Sequence, residues 1–302
     1  MKRSLFFVLL AFGSALFFVS LLLINGCGDI GIPDATTTSV TTNTTTTTQG
    51  GTHGLTKFFF LHQSTGQGLI NNYDTGTPIM RGTIESYNLA HGTHFELWDY
   101  WGMGDGGLID ASGNPTGINI YDPPIDYSQT DAESLYLTWI SSETAWADLR
   151  NRIMSSFEVI AFKSCFVANN IIDDDELKQR KDWYVGMRNF FDSHPDKLFV
   201  VMSFPTQVPL TTTASSAAYA RAFANWLKSP TYLSGHPNVV CFDLFNYLAS
   251  PIGSPEANML RPEYRRPEAY STIEPDAHPN TLANETIGPI FAQFLIDAAL
   301  NY

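Results

Sequence analysis

Three short segments carry residues able to act together in acyl transfer. The first, Phe60-Leu61-His62-Gln63-Ser64-Thr65-Gly66-Gln67-Gly68, places a serine directly after an apolar run, Lys57–His62. A serine where a strand ends and a helix begins has its hydroxyl at the carboxyl edge of a sheet, beside helix-terminal N–H groups that suit a developing oxyanion. The same placement also describes an ordinary helix N-cap, with Gly66 as a turn residue. The second, Pro275-Asp276-Ala277-His278-Pro279-Asn280, sets a histidine in a loop between a carboxylate and a proline. A general base needs its orientation and tautomer held in this way, although a plain polar loop ending in an Asn280 cap has the same composition. The third, Phe162-Lys163-Ser164-Cys165-Phe166-Val167-Ala168-Asn169-Asn170, offers side-chain amides that can donate to a negative oxygen or stabilise a turn. None is specific alone. Each lies at the carboxyl end of an expected strand or in the last loop, and a parallel sheet brings such places to one edge.

The elements that must position them alternate along the chain. Strands are predicted at Lys57–His62, Thr93–Trp98, Phe157–Lys163, Lys197–Ser203 and Asn238–Phe245, several apolar on both faces, as strands covered by helices on both sides must be. Helices are predicted at Arg81–His91, Glu133–Ser155, Glu176–Ser193, Ala214–Lys228 and Thr281–Leu300. The last carries an apolar stripe of Ile287, Ile290, Phe291, Phe294, Leu295 and Ala298, and Tyr219, Ala222, Phe223, Trp226 and Leu227 repeat the pattern. This alternation argues for an open, mainly parallel sheet with helices on both faces. The Gly-, Asp- and Pro-rich stretch from Tyr100 to Thr130 is expected as a long loop walling the site.

Composition bounds the function. The chain has 302 residues and a net charge of −13 from 17 basic and 30 acidic residues, a poor balance for binding nucleic acid. Its 44% hydrophobic and 13% aromatic content is enough for a full core. Lys2 and Arg3 precede an apolar run from Leu5 to Ile24, followed by Asn25-Gly26-Cys27. That is the order of a secretory signal, long enough to serve as an uncleaved anchor. The segment resembles a bacterial lipoprotein signal, which implies acylation of Cys27 and a lipid-anchored protein of the cell envelope. Residues 27–54 are expected to be a Thr-rich flexible linker, since they have too few apolar side chains to offset ordering entropy. The folded body is expected at 55–302.

Over that body, from Lys57 to Tyr302, the order of the pieces resembles the SGNH, or GDSL-like, hydrolase superfamily, in particular divergent bacterial members with an H-x-S-T-G start and an F-K-S-C segment. The resemblance implies a three-layer α/β/α flavodoxin-like sandwich with a mainly parallel five-stranded sheet. It matches Ser64 to the nucleophile and His278 to the base. It also implies an oxyanion hole from the Ser64 N–H, the N–H of Gly104 or Gly102 in Asp99-Tyr100-Trp101-Gly102-Met103-Gly104, and the side chain of Asn170, favoured over Asn169. The family's Asp-x-x-His block is Asp276-Ala277-His278 here, one residue shorter, with Pro275 in the usual acid position and Glu274 one further out. Asp276, Glu274 or neither then orients the imidazole. The implied activity is serine ester hydrolysis without metal or organic cofactor. An acylated carbohydrate such as an acetylated polysaccharide is the expected substrate, on the strength of an envelope location and of Trp98, Tyr100, Trp101 and Tyr121 as stacking surfaces.

Other readings remain at this level. Cys165 could be a thiol nucleophile with His278, or pair with Cys241 in an oxidising envelope. Asp173-Asp174-Asp175-Glu176 reads as the acidic start of a helix, since it lacks the spacing of a cation loop. His53, His62, His91, His94, His194 and His236 show no ligand spacing and read as surface or loop residues, His62 lining the pocket. The rival from another class is a non-catalytic glycan-binding or adhesive surface lipoprotein that retains the fold.

Overall fold

The computed structural model describes residues 54–72, 75–101, 107–118, 131–166, 170–266 and 276–302. The leader with Cys27, the Thr-rich segment, His53, Gly102, Gly104, Tyr121, Asn169, Glu274 and Pro275 lie outside these residues.

Among the described residues one sheet contains β1 (Lys57–His62), β2 (Glu96–Trp101), β3 (Leu108–Ile109), β4 (Val159–Lys163), β5 (Leu198–Met202) and β6 (Val239–Phe242), in the spatial order β3-β2-β1-β4-β5-β6. All neighbours pair in parallel except β2 with β3. Around the sheet lie α1 (Thr65–Ile70), α2 (Met80–His91), α3 (Ala132–Ile140), α4 (Thr144–Ser156), α5 (Asp174–Asp192), α6 (Ala214–Leu227), α7 (Pro230–Leu233), α8 (Leu244–Leu248) and α9 (Thr281–Asn301). The fold is the three-layer α/β/α sandwich that the alternation predicts. Its five parallel strands run 2-1-3-4-5 in their own order, the doubly wound arrangement in which ligands bind where the strand order reverses. That place is the carboxyl end of β1 beside β4.

Alternation along the strands makes two cores. Phe59, Leu61, Ile160, Phe162, Phe199 and Val201 face α3, α4, α5 and α6, where Trp139, Leu149, Tyr184, Phe191 and Phe223 fill the layer. Phe58, Phe60, Val159, Ala161, Val200 and Met202 face α1, α2 and α9 through Leu69, Met80, Ile287, Phe291 and Leu295. Side chains of Asp131, Asp173, Thr213 and Asn280 cap α3, α5, α6 and α9. Each such cap is worth about 1 kcal/mol.

Several expectations are corrected. The sheet has a sixth strand, because Leu108 and Ile109 return antiparallel to β2 from within the stretch expected as loop. Tyr100 and Trp101 belong to β2, which starts at Glu96 and not Thr93. The cause is Asn88, whose side chain accepts from Phe95 N and Thr93 Oγ1 and donates to Phe95 O, tying residues 93–95 to the end of α2. The single helix expected over Glu133–Ser155 is broken at Ser141, which is extended; its Oγ accepts from Glu143 N, and Arg150 takes the carbonyls of Thr138 and Ser141. On α9 the buried face is Ile287, Phe291 and Leu295 with Gly288, Ala292 and Ile296, while Ile290 is exposed; on α6 Ala222 is exposed. No helix among the described residues is long and apolar enough to cross a membrane.

Candidate active site

Ser64 follows β1 by two residues and occupies the N-cap position of α1, yet its side chain makes no capping hydrogen bond. The hydroxyl is turned to the imidazole of His278 instead, and Ser64 Oγ and His278 Nε2 are hydrogen-bonded across 214 positions of chain. The turn that presents it is strained. Ser64 has φ 48° and ψ −107°, and with Asn258 it is one of two non-glycine residues at positive φ among the described residues. Such conformations cost of order 1–3 kcal/mol and persist only where the surroundings over-determine them.

His278 is brought to Ser64 by the close approach of α1 and α9. A Cβ on Gly68 would lie 2.7 Å from Asn284 Nδ2, and one on Gly288 would lie 2.7 Å from the carbonyl oxygen of Leu69. Glycine at position 68 makes room for the Asn284 side chain, and glycine at position 288 lets α9 approach the backbone of α1. The start of α9 is pinned by Asn280, whose Oδ1 accepts from Ala283 N while its Nδ2 donates to the carbonyls of Glu263 and Arg265. His278 stands two residues before that anchor.

Asp276 is the acid that reaches the ring. Its Oδ1 lies 2.5 Å from His278 Nδ1 and accepts from the backbone N–H of His278 at 2.9 Å. The second bond is an Asx turn, in which a carboxylate captures the N–H two residues on. It places the acid on the imidazole although only Ala277 separates Asp276 from His278. Arg266 Nε is 3.7 Å from Asp276 Oδ2 and donates to Pro279 O at 3.3 Å. Burial opposes ionisation of Asp276, but the two His278 hydrogen bonds and the Arg266 charge outweigh it and hold the carboxyl below its ordinary range. The Phe166 ring meets the imidazole edge to face at 5.4 Å. An Nδ1–H given to a carboxylate leaves the Nε2 lone pair for the serine proton.

Asn170 is exposed, and its Oδ1 accepts from Gln207 Nε2 at 3.0 Å. Gln207 also donates to Phe166 O. Fixing the oxygen of the amide fixes the direction of its NH₂ group, as a preorganised donor requires. The proposed glycine donor, Gly104 or Gly102, lies outside the described residues.

Beneath the serine turn His62 departs from the surface or pocket role expected of it. It is wholly buried, with Nε2 3.0 Å from Asp99 Oδ2, and Asp99 is in turn paired with Arg81. Burial pushes the imidazole below its ordinary value despite Asp99. Burial alone would raise Asp99, but the His62 bond and the Arg81 charge hold it below the usual carboxylate range. Lys163, which ends β4 beside His62, is also wholly buried; its Nζ has no hydrogen-bond partner among the described residues, and burial pushes it down. Nothing in the sequence marked this group beyond the position of His62 and Lys163 at the ends of apolar strands. Arg266, Gln207 and Phe166 had no sequence signal as site residues.

The remaining candidates fall elsewhere. Cys165 and Cys241 are free thiols, and the His278 Nε2 contact goes to the Ser64 hydroxyl. The acidic run begins α5 as expected: Asp173 Oδ1 accepts from Glu176 N, and Glu176 reaches back to Ile172 N. No group of three metal-ligating side chains occurs among the described residues. Of the aromatics expected to stack on a sugar, Tyr100 is buried in the core; Trp98 packs on Phe157 under Lys57 Nζ and donates to Glu96. No protein-family model matches the chain, and no curated protein matches its sequence.

Proposed function

We propose that the chain is a serine ester hydrolase of the SGNH type, with Ser64 as nucleophile, His278 as general base and acid, and Asp276 as the orienting carboxylate. The observation that carries this reading is the Ser64–His278 hydrogen bond at the carboxyl edge of the sheet, with Asp276 on the far nitrogen of the same ring. His278 Nε2 takes the Ser64 proton as Oγ attacks the acyl carbonyl. The oxyanion is held by the Ser64 N–H, the Gly104 N–H and the Asn170 side chain. His278 then protonates the departing alcohol, and the acyl-serine forms. Water, deprotonated by the same imidazole, attacks the acyl carbon; collapse frees the acid and returns the proton to Ser64. Asp276 stabilises the imidazolium formed in both halves. No step calls on a metal or organic cofactor.

The substrate proposed is an acyl ester, with acetylated polysaccharide as the class to test first. The location proposed is the bacterial envelope, through a lipid on Cys27. The test uses p-nitrophenyl acetate, acetylated polysaccharide and a fluorophosphonate probe on the wild type, Ser64→Ala and His278→Ala. Turnover and labelling in the wild type alone support the reading. Activity that survives both substitutions excludes this site, and a folded wild type that neither turns over nor labels favours the non-catalytic reading over the hydrolase. Radiolabelled palmitate entering the wild type but not Cys27→Ser tests the anchor.

A further inference from the structure

The strained Ser64 turn rests on a buried side chain that the hydrolytic steps do not use. His62 is the last residue of β1, and alternation from Phe58 and Phe60 points it to the α1/α9 side of the sheet, directly under the turn. Gly66 lies against it. A Cβ on Gly66 would stand 2.4 Å from His62 Cβ and 2.9 Å from its Nδ1, so ring and turn backbone are in contact without room for another atom. The ring in turn cannot swing, because its Nε2 is bound at 3.0 Å to Asp99 Oδ2. Asp99 is 1% exposed and is clamped by Arg81, whose Nη2 also donates to the carbonyl of Asp110 at 3.2 Å. The chain of contacts runs from α2 through β2 to β1 and ends beneath the serine.

Removing one partner of a buried charged pair leaves the other charge uncompensated, so the Asp99–Arg81 pair resists displacement. A residue at φ 48° needs that kind of support. We propose that His62, fixed by Asp99 and Arg81, is a positioning residue that holds the Ser64 turn in its strained conformation and so sets the reactivity of the nucleophile. The inference rests on Ser64 being the nucleophile, but the conformational half of it is measurable without catalysis. Gly66 N donates to Gln63 O at 3.0 Å and Gln67 N to Ser64 O at 2.8 Å, so the exchange rates of these two amides report on the turn itself.

The experiment compares the wild type with His62→Leu, which fills the space without a donor, and His62→Gln, which keeps a donor for Asp99. His62→Leu is expected to lower kcat on p-nitrophenyl acetate about 10²-fold with KM changed less than about twofold, since a displacement of about 1 Å at the reacting atom costs that much. It should also slow fluorophosphonate labelling and speed exchange at Gly66 and Gln67 about tenfold or more; His62→Gln should restore a large part of each. Should His62→Leu fail to fold, the isosteric Asp99→Asn is read in the same way. Wild-type labelling, kcat and exchange in a folded His62→Leu overturn the inference, as does a loss that His62→Gln leaves unrepaired. A wild type that does not label sinks the hydrolase reading, and the exchange rates then still decide whether His62 holds the turn.

Discussion

One oxygen of Asp276 serves His278 twice, 2.5 Å from the ring Nδ1 and 2.9 Å from the backbone nitrogen. The carboxylate thus sets both the tautomer of the ring and the path of the loop that carries it. An amide can keep both contacts through its oxygen, but it carries no charge to stabilise the imidazolium, and its NH₂ replaces the oxygen that stands 3.7 Å from Arg266 Nε. Asp276→Asn is expected to lower kcat about 10²–10⁴-fold with little change in KM and an unchanged circular dichroism spectrum. Steady-state kinetics on a chromogenic ester check it; a loss confined to KM would show that Asp276 shapes binding and not the base.

Ser64→Gly separates strain from chemistry. Glycine reaches φ 48° and ψ −107° without the steric cost a side chain meets there, although it adds entropy to the unfolded chain. The balance is expected to be a gain of about 1 kcal/mol in urea denaturation together with complete loss of turnover. Destabilisation would show that the Ser64–His278 bond contributes more than the strain costs.

Acid should unfold the protein through Asp99 and Asp276. Both carboxyls are held below their ordinary value when folded, and in the unfolded chain they titrate near 3.9. Above about pH 5 they are ionised in both states and their contribution is fully present. As the pH falls from there through the folded-state values, the unfolded chain binds the protons more readily and the contribution is lost. Urea midpoints measured from about pH 5 downwards should fall steeply in the wild type and less steeply in Asp99→Asn. Equal slopes would contradict the depressed Asp99 value.

Lys163 runs the other way in consequence though not in sign. Burial lowers its folded-state value, so burying the amine weakens the fold most at low pH, and the cost fades as the pH rises towards about 10.4, where the unfolded lysine also deprotonates. Lys163→Met removes a polar head that has no hydrogen-bond partner among the described residues and keeps the stem, and it is expected to add roughly 1–3 kcal/mol at pH 7. The gain should shrink by pH 10. Denaturant titrations at the two pH values check this, and destabilisation at pH 7 would mean that the amine is satisfied within the fold.

The layered α/β/α architecture was legible in the sequence because apolar periodicity is a local property, and runs such as Leu198-Phe199-Val200-Val201 between helical stretches allow few other arrangements. Ser64 and His278 were legible for a related reason: one follows a strand and the other precedes an amphipathic helix, and a parallel sheet gathers such places. Tertiary structure alone decided the rest. Asp276 reaches the imidazole through an Asx turn, which is a matter of dihedral angles and not of spacing. Asn170 acquires its orientation from Gln207, on the loop after a neighbouring strand. His62, Asp99 and Arg81 look unrelated along the chain, and they meet only because β1 pairs with β2 in the register that sets Phe60 opposite Asp99 and because α2 lies over that face. Register and helix packing are settled by the whole core at once, so no local pattern of residue types encodes them.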